Sequence, residues 1–121
     1  MRLGETFLMP IPHQEIEHLW IVLSDPDQHG GAFIIANVTK DVARSGGECP
    51  LSPADHPWIK TRCFLNLADA LEITPEKAVG LAALVGKLVE MKAKLEVSVL
   101  ERIVAIAKTS TAISVSYKRY L

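Results

Sequence analysis

Eight consecutive residues near the middle of the chain hold an unusual density of reactive groups: Asp55-His56-Pro57-Trp58-Ile59-Lys60-Thr61-Arg62. They place a carboxylate, an imidazole, an indole, an ammonium and a guanidinium in one short stretch. Pro57 bars both a helix interior and a central strand, so the stretch is expected to be a loop. Polar loops delivered by a rigid scaffold are where binding and catalytic groups concentrate. An imidazole takes or gives a proton near neutrality. His56, and His18 at the start of an upstream apolar run, are therefore the candidate acid and base. Lys60 and Arg62 offer positive charge, Trp58 a flat aromatic face, Asp55 a carboxylate and Thr39 a hydroxyl at the end of a strand. Each residue also has a structural reading. Trp58 and Ile59 suit a core, His18 a bond to a backbone carbonyl, Thr39 a strand-end cap, and Lys60 and Arg62 a solvated surface.

Other chemistries find less support. Cys49, Asp55, His56 and Cys63 could in principle hold a metal, but their spacing matches no zinc pattern, and neither CxxC nor HxxxH occurs. There is no nucleophile-elbow motif. Gly30-Gly31 and Gly46-Gly47 are turns and not a phosphate-binding loop. No metal or cofactor is expected.

The elements that must position these residues follow from composition and pattern. With 121 residues, 49% apolar and 22% charged, the chain can build the core of a single domain. A net charge of −1 confines any nucleic-acid site to a local patch. Two cysteines suit a reducing compartment, and neither a signal peptide nor a membrane span is visible, so a cytoplasmic protein is expected.

Strands are predicted over about Glu5–Met9, His18–Ser24 and Ala32–Val38, the last two as a hairpin across the turn Asp25–Gly31. Residues 13–17 and 39–48 read as loops, and Cys49 and Leu51 as a brief strand. A further strand is predicted from Arg62 to Ile73, with a bend near Ala68. Thr74-Pro75-Glu76 starts a helix, ending near Gly86 or running on to Lys94. Ser98-Val99-Leu100-Glu101 reads as a capping box opening a second helix, with Leu100, Ile103, Val104 and Ala107 on one stripe. A further short helix, made basic by Lys118 and Arg119, is predicted in the tail Ile113–Leu121. Strands first and helices second predict an α+β fold: a small barrel or bent antiparallel sheet over 1–73 and a helical part over 74–121.

The segments His18-Leu19-Trp20-Ile21-Val22-Leu23-Ser24-Asp25-Pro26, Ile34-Ile35-Ala36-Asn37-Val38-Thr39, Cys49, Asp55-His56-Pro57-Trp58-Ile59 and Asn66 with Ala68-Asp69-Ala70 together resemble PemK/MazF-like proteins. These are the growth-inhibiting toxins of type II toxin–antitoxin systems. The resemblance implies an SH3-like β-barrel with appended helices, often dimeric. It implies a metal-independent endoribonuclease acting on single-stranded RNA and neutralised by an antitoxin. Thr39 matches the family's strand-ending Thr or Ser. Glu17-His18 stands where the family has Arg-Pro. If RNA is the substrate, the 2′-hydroxyl must lose a proton, the leaving 5′-oxygen must gain one, and the phosphorane needs cationic donors. His18 and His56 would move the protons. Lys60, Arg62 and Thr39 would face the phosphate, and Trp58 would stack on an unpaired base. The alternative on the same barrel is a non-catalytic binding or regulatory module.

Overall fold

The structure, a computed structural model, describes residues 1–11 and 14–121. Six strands form one antiparallel sheet: β1 (Thr6–Pro10), β2 (Glu17–Val22), β3 (Phe33–Thr39), β4 (Pro50–Leu51), β5 (Cys63–Ile73) and β6 (Glu90–Lys92). Their spatial order is β4-β5-β3-β2-β1-β6, and the sheet curls into a half-barrel. The helices are α1 (Val42–Ser45), α2 (Pro75–Ala83) and α3 (Val97–Thr109). Short 3₁₀ turns cover Pro26–Gln28 and Val115–Tyr120.

The expected hairpin is present. Trp20 pairs with Asn37, Ile21 with Ala36 and Val22 with Ile35. Its turn is set by the Asp25 carboxylate, which accepts from the Asp27 N–H at 2.9 Å. Gly30 and Gly31 then take left-handed φ values of 64° and 93°. β3 reads as an unbroken apolar run because both of its faces are buried. Ile34, Ala36 and Val38 join the main core with Leu19, Ile21, Leu65 and Leu67. Phe33 and Ile35 join a second core with Phe7, Trp20, Val22 and Leu81 of α2.

β5 bends where the sequence predicts. Its pairing with β3 runs from Phe33↔Ile73 to Ile35↔Leu71, then jumps to Asn37↔Asn66. Four residues of β5 (67–70) thus face one of β3, and the strand must kink there. The loop expected over 39–48 contains α1, a single helical turn closed by Ser45 N–H to the Asp41 carbonyl at 3.0 Å. The polar loop expected over 13–17 begins outside the described residues.

Of the two ends expected for the first helix, the one near Gly86 is found and the extension to Lys94 is not; the departures from expectation are a strand after it and the start of α3. Thr74 caps α2 as predicted, its hydroxyl accepting from Lys77 N–H at 3.3 Å, but α2 stops at Ala83. Gly86 then turns with φ 82°, its N–H reaching Val89 O at 2.8 Å, and residues 90–92 pair with β1 as Thr6↔Lys92, Phe7↔Met91 and Leu8↔Glu90. The free edge of β1 wins over the weak helix propensity of a segment broken by Gly80 and Gly86. The sheet therefore draws on both halves of the chain, and the division at residue 73 is not a structural boundary.

Nor does the capping box form. α3 begins at Val97 with Glu96 at its N-cap and no side-chain cap bond. Leu95 is buried and its N–H is held by Gly4 O at 3.0 Å. That anchor brings the chain into the helix two residues early and leaves Ser98 inside the first turn. Three of the four residues of the predicted stripe pack as expected: Ile103 and Ala107 are buried in the main core and Leu100 packs against its margin, while Val104 is half-buried and Ile106 packs there instead. No helix among the described residues is long and apolar enough to cross a membrane.

Candidate functional site

The loop 52–62 leaves β4 at one margin of the sheet and is tied to the opposite margin. Asp55 makes its first turn, accepting from Ser52 N–H at 2.8 Å, while Arg102 of α3 reaches the same carboxylate at 2.9 Å. Partial burial pushes the Asp55 pKa up, but the hydrogen bonds from Arg102 and the Ser52 backbone outweigh it, and the net shift is downward. His56 follows and is only 3% exposed. Its Nδ1 accepts from Trp58 N–H at 3.0 Å. Its Nε2 lies 2.8 Å from the Ala93 carbonyl, just past β6, and 2.9 Å from the Thr6 hydroxyl of β1. A carbonyl only accepts, so Nε2 carries the proton and the ring is neutral. Burial lowers its pKa, and nearby Lys92 adds to this, against the bond to Ala93. His56 is thus a clasp between the two margins of the half-barrel.

Four of the candidate residues converge elsewhere. His18, Thr39, Trp58 and Lys60 line one groove of about 620 Å³, formed by residues 16–18, 38–41, 58–61 and Cys63. Asp55, His56 and Arg62 do not line it. Arg62 instead lies over the Phe64 ring at 5.5 Å. The clasp places the groove's third wall: with His56 fixed, Ile59 is buried in the main core while Trp58 stays 37% exposed. The sheet places the other two. The Trp20↔Asn37 register, continued by two residues, sets His18 across from Thr39 on one face.

The groove's polar groups have defined states. His18 Nδ1 lies 3.2 Å from Val38 O, so Nδ1 donates and a neutral ring keeps its lone pair on Nε2. The Thr39 hydroxyl accepts from Asp41 N–H at 3.1 Å and retains its own proton to donate. Lys60 Nζ donates to Pro57 O at 3.0 Å, with two further protons available. Lys40, Glu17 and Asp41 complete the polar rim, and Ile16, 71% exposed, is an isolated apolar side chain at its lip. Sequence reasoning passed over Lys40 and Ile16. Their signals were adjacency to Thr39 and an isoleucine in a polar segment.

Among the described residues no group of three or more His, Cys, Asp or Glu could hold a metal ion. Burial pushes the Cys49 thiol up to about 11 and the Cys63 thiol upward as well. Both are protonated at neutrality and behave as small apolar side chains. Comparison with models of known families finds no match to this chain, and comparison with curated proteins finds none either.

Proposed function

We propose that the groove binds single-stranded RNA and cleaves it without a metal ion, on a sheet of the SH3-like type that the PemK/MazF-like resemblance implies. The observation that supports this most is convergence: His18, Thr39, Trp58 and Lys60 come from three distant segments and line one groove. His18 Nε2 takes the proton of the 2′-hydroxyl, and the 2′-oxygen attacks phosphorus. The bond from phosphorus to the 5′-oxygen breaks, water at the open mouth protonates that oxygen, and a 2′,3′-cyclic phosphate remains. Lys40, Lys60 and the Thr39 hydroxyl stabilise the charge gathered on the phosphorane. The exposed face of Trp58 stacks on a base. An antitoxin and a second copy of the chain belong to this reading through the resemblance.

The test is incubation of the purified protein with mixed single-stranded RNA in EDTA, beside His18→Ala. Cleavage by the unsubstituted protein and its loss in the variant support the reading, and RNA left intact refutes it. A second reading, a non-catalytic RNA-binding module, is favoured by one observation: both ring nitrogens of His56 are engaged, which leaves a single histidine at the groove. RNA retained but uncut would select it.

A further inference from the structure

Next to the groove, on the same sheet face, two buried amide oxygens lack partners. Asn37 and Asn66 face each other across β3 and β5 and are 1% and 0% exposed. The side-chain oxygen of each has no hydrogen-bond donor, an uncommon state for buried polar atoms. The Asn66 amide nitrogen is already used, donating to Asp69 Oδ2 at 2.9 Å. A half-turn of the Asn37 amide would hand an N–H to Asn66 and present the Asn37 oxygen outward. In either orientation the pair is short of at least one donor, which must come from outside the chain.

Asn37 lines a second pocket of about 390 Å³, walled by Trp20, Ile11 and residues 68–71 at the bend of β5. Asn37 is two residues from Thr39 on β3, and Trp20 two from His18 on β2. Residues lining the pocket and residues lining the groove therefore stand about 7 Å apart along one face of the sheet.

We propose that this pocket receives an adenine or cytosine base of the strand held in the groove; the proposal rests on the RNA reading of that groove. The exocyclic amino group of either base has two N–H bonds. One supplies the donor that the Asn37 oxygen lacks, and the other meets the Asp69 carboxylate. The neighbouring unprotonated ring nitrogen accepts from the Asn37 amide, the same pairing by which Asn reads adenine elsewhere. Uracil presents a carbonyl where the amino group stands and would set oxygen against the Asp69 carboxylate. The mostly apolar walls suit a base, and nearness to the groove favours a nucleic acid over a protein side chain.

The test uses labelled 2′-O-methyl oligomers of A, C or U with the intact protein, read by fluorescence anisotropy. The 2′-O-methyl group removes the nucleophile, so binding is read apart from cleavage. The A and C oligomers are expected to bind at least about tenfold tighter than U. That ratio is expected to fall towards one in Asn37→Leu, which replaces the unpaired amide with an apolar group of similar size, and in Asp69→Ala. Should Asn37→Leu fail to fold, the exposed Asp69 position decides. Equal binding of all three oligomers overturns the base pocket and leaves the RNA reading standing. A preference that survives both substitutions overturns it too. Binding of none overturns both readings. An oligo-arginine peptide bound in place of RNA, its affinity lost in Asp69→Ala, assigns the pocket to a protein partner and overturns the base proposal.

Discussion

The sequence marks His56 as the stronger of two histidine candidates and gives His18 a structural reading as well, and their surroundings separate the two. His18 has one nitrogen on a backbone carbonyl and lines the groove. His56 has both nitrogens engaged in a buried clasp. Substitution should therefore affect them differently. His18→Ala is expected to leave the urea unfolding midpoint near its original value and to lower RNA cleavage by about 10²-fold or more, the usual share of a general base. His56→Ala leaves the Trp58 N–H without its acceptor and removes the bonds that tie the loop to Ala93 and Thr6, and is expected to cost about 2–4 kcal/mol of unfolding free energy. The clasp also fixes a pH dependence. Because the folded pKa of His56 lies below the ordinary 6.5, the unfolded chain binds the proton more readily. The contribution of this residue is then complete above pH 6.5 and is lost as pH falls through and below that value. Urea midpoints measured between pH 7.5 and 5 should fall in the unsubstituted protein, and fall less in His56→Gln.

Two turns decide how the chain's elements meet. The first is Asp55, which joins the loop to α3 through Arg102. Asp55→Ala removes that ion pair and the bond to Ser52 N–H. It is expected to destabilise by about 1–2 kcal/mol, measured by denaturant unfolding, with the loop 55–61 exchanging its amides faster. The second is Gly86, whose left-handed φ of 82° turns the chain from α2 back towards β1. A Cβ there meets open space, so Gly86→Ala carries only the backbone penalty. About 1 kcal/mol is expected, seen as a lower Tm. Both turns show why the elements were unevenly legible. The hairpin, the bend in β5 and the Thr74 cap rest on local chemistry that the sequence displays. β6 and the start of α3 rest on partners far away, at β1 and Gly4.

Across the whole molecule, a net charge of −1 leaves little long-range attraction for a polyanion. On the RNA reading of the groove, affinity must come from its two lysines and from stacking. The salt dependence should therefore be shallow. Taking about 0.7 per phosphate neutralised on a single strand, log K against log salt is expected to have a slope near −1.4, and Lys60→Ala to bring it near −0.7. A much steeper slope, measured by anisotropy over a salt series, would place the binding surface elsewhere.

The sequence by itself determined the α+β class, most of the strands, the α2 cap and the set of residues worth testing. Periodicity, turn residues and side-chain chemistry are local properties, readable wherever they occur. Only the tertiary structure decided which of those residues share a site. Asp55, His56, Trp58 and Lys60 are neighbours in sequence, yet the loop turns the first two inward to the clasp and the last two outward to the groove. Asn37 and Asn66 are ordinary polar residues in the sequence and become an unpartnered pair only when β3 and β5 are in register. Burial and hydrogen-bond satisfaction depend on what the rest of the chain brings to each atom, and that is fixed only once the sheet has curled and its margins are joined.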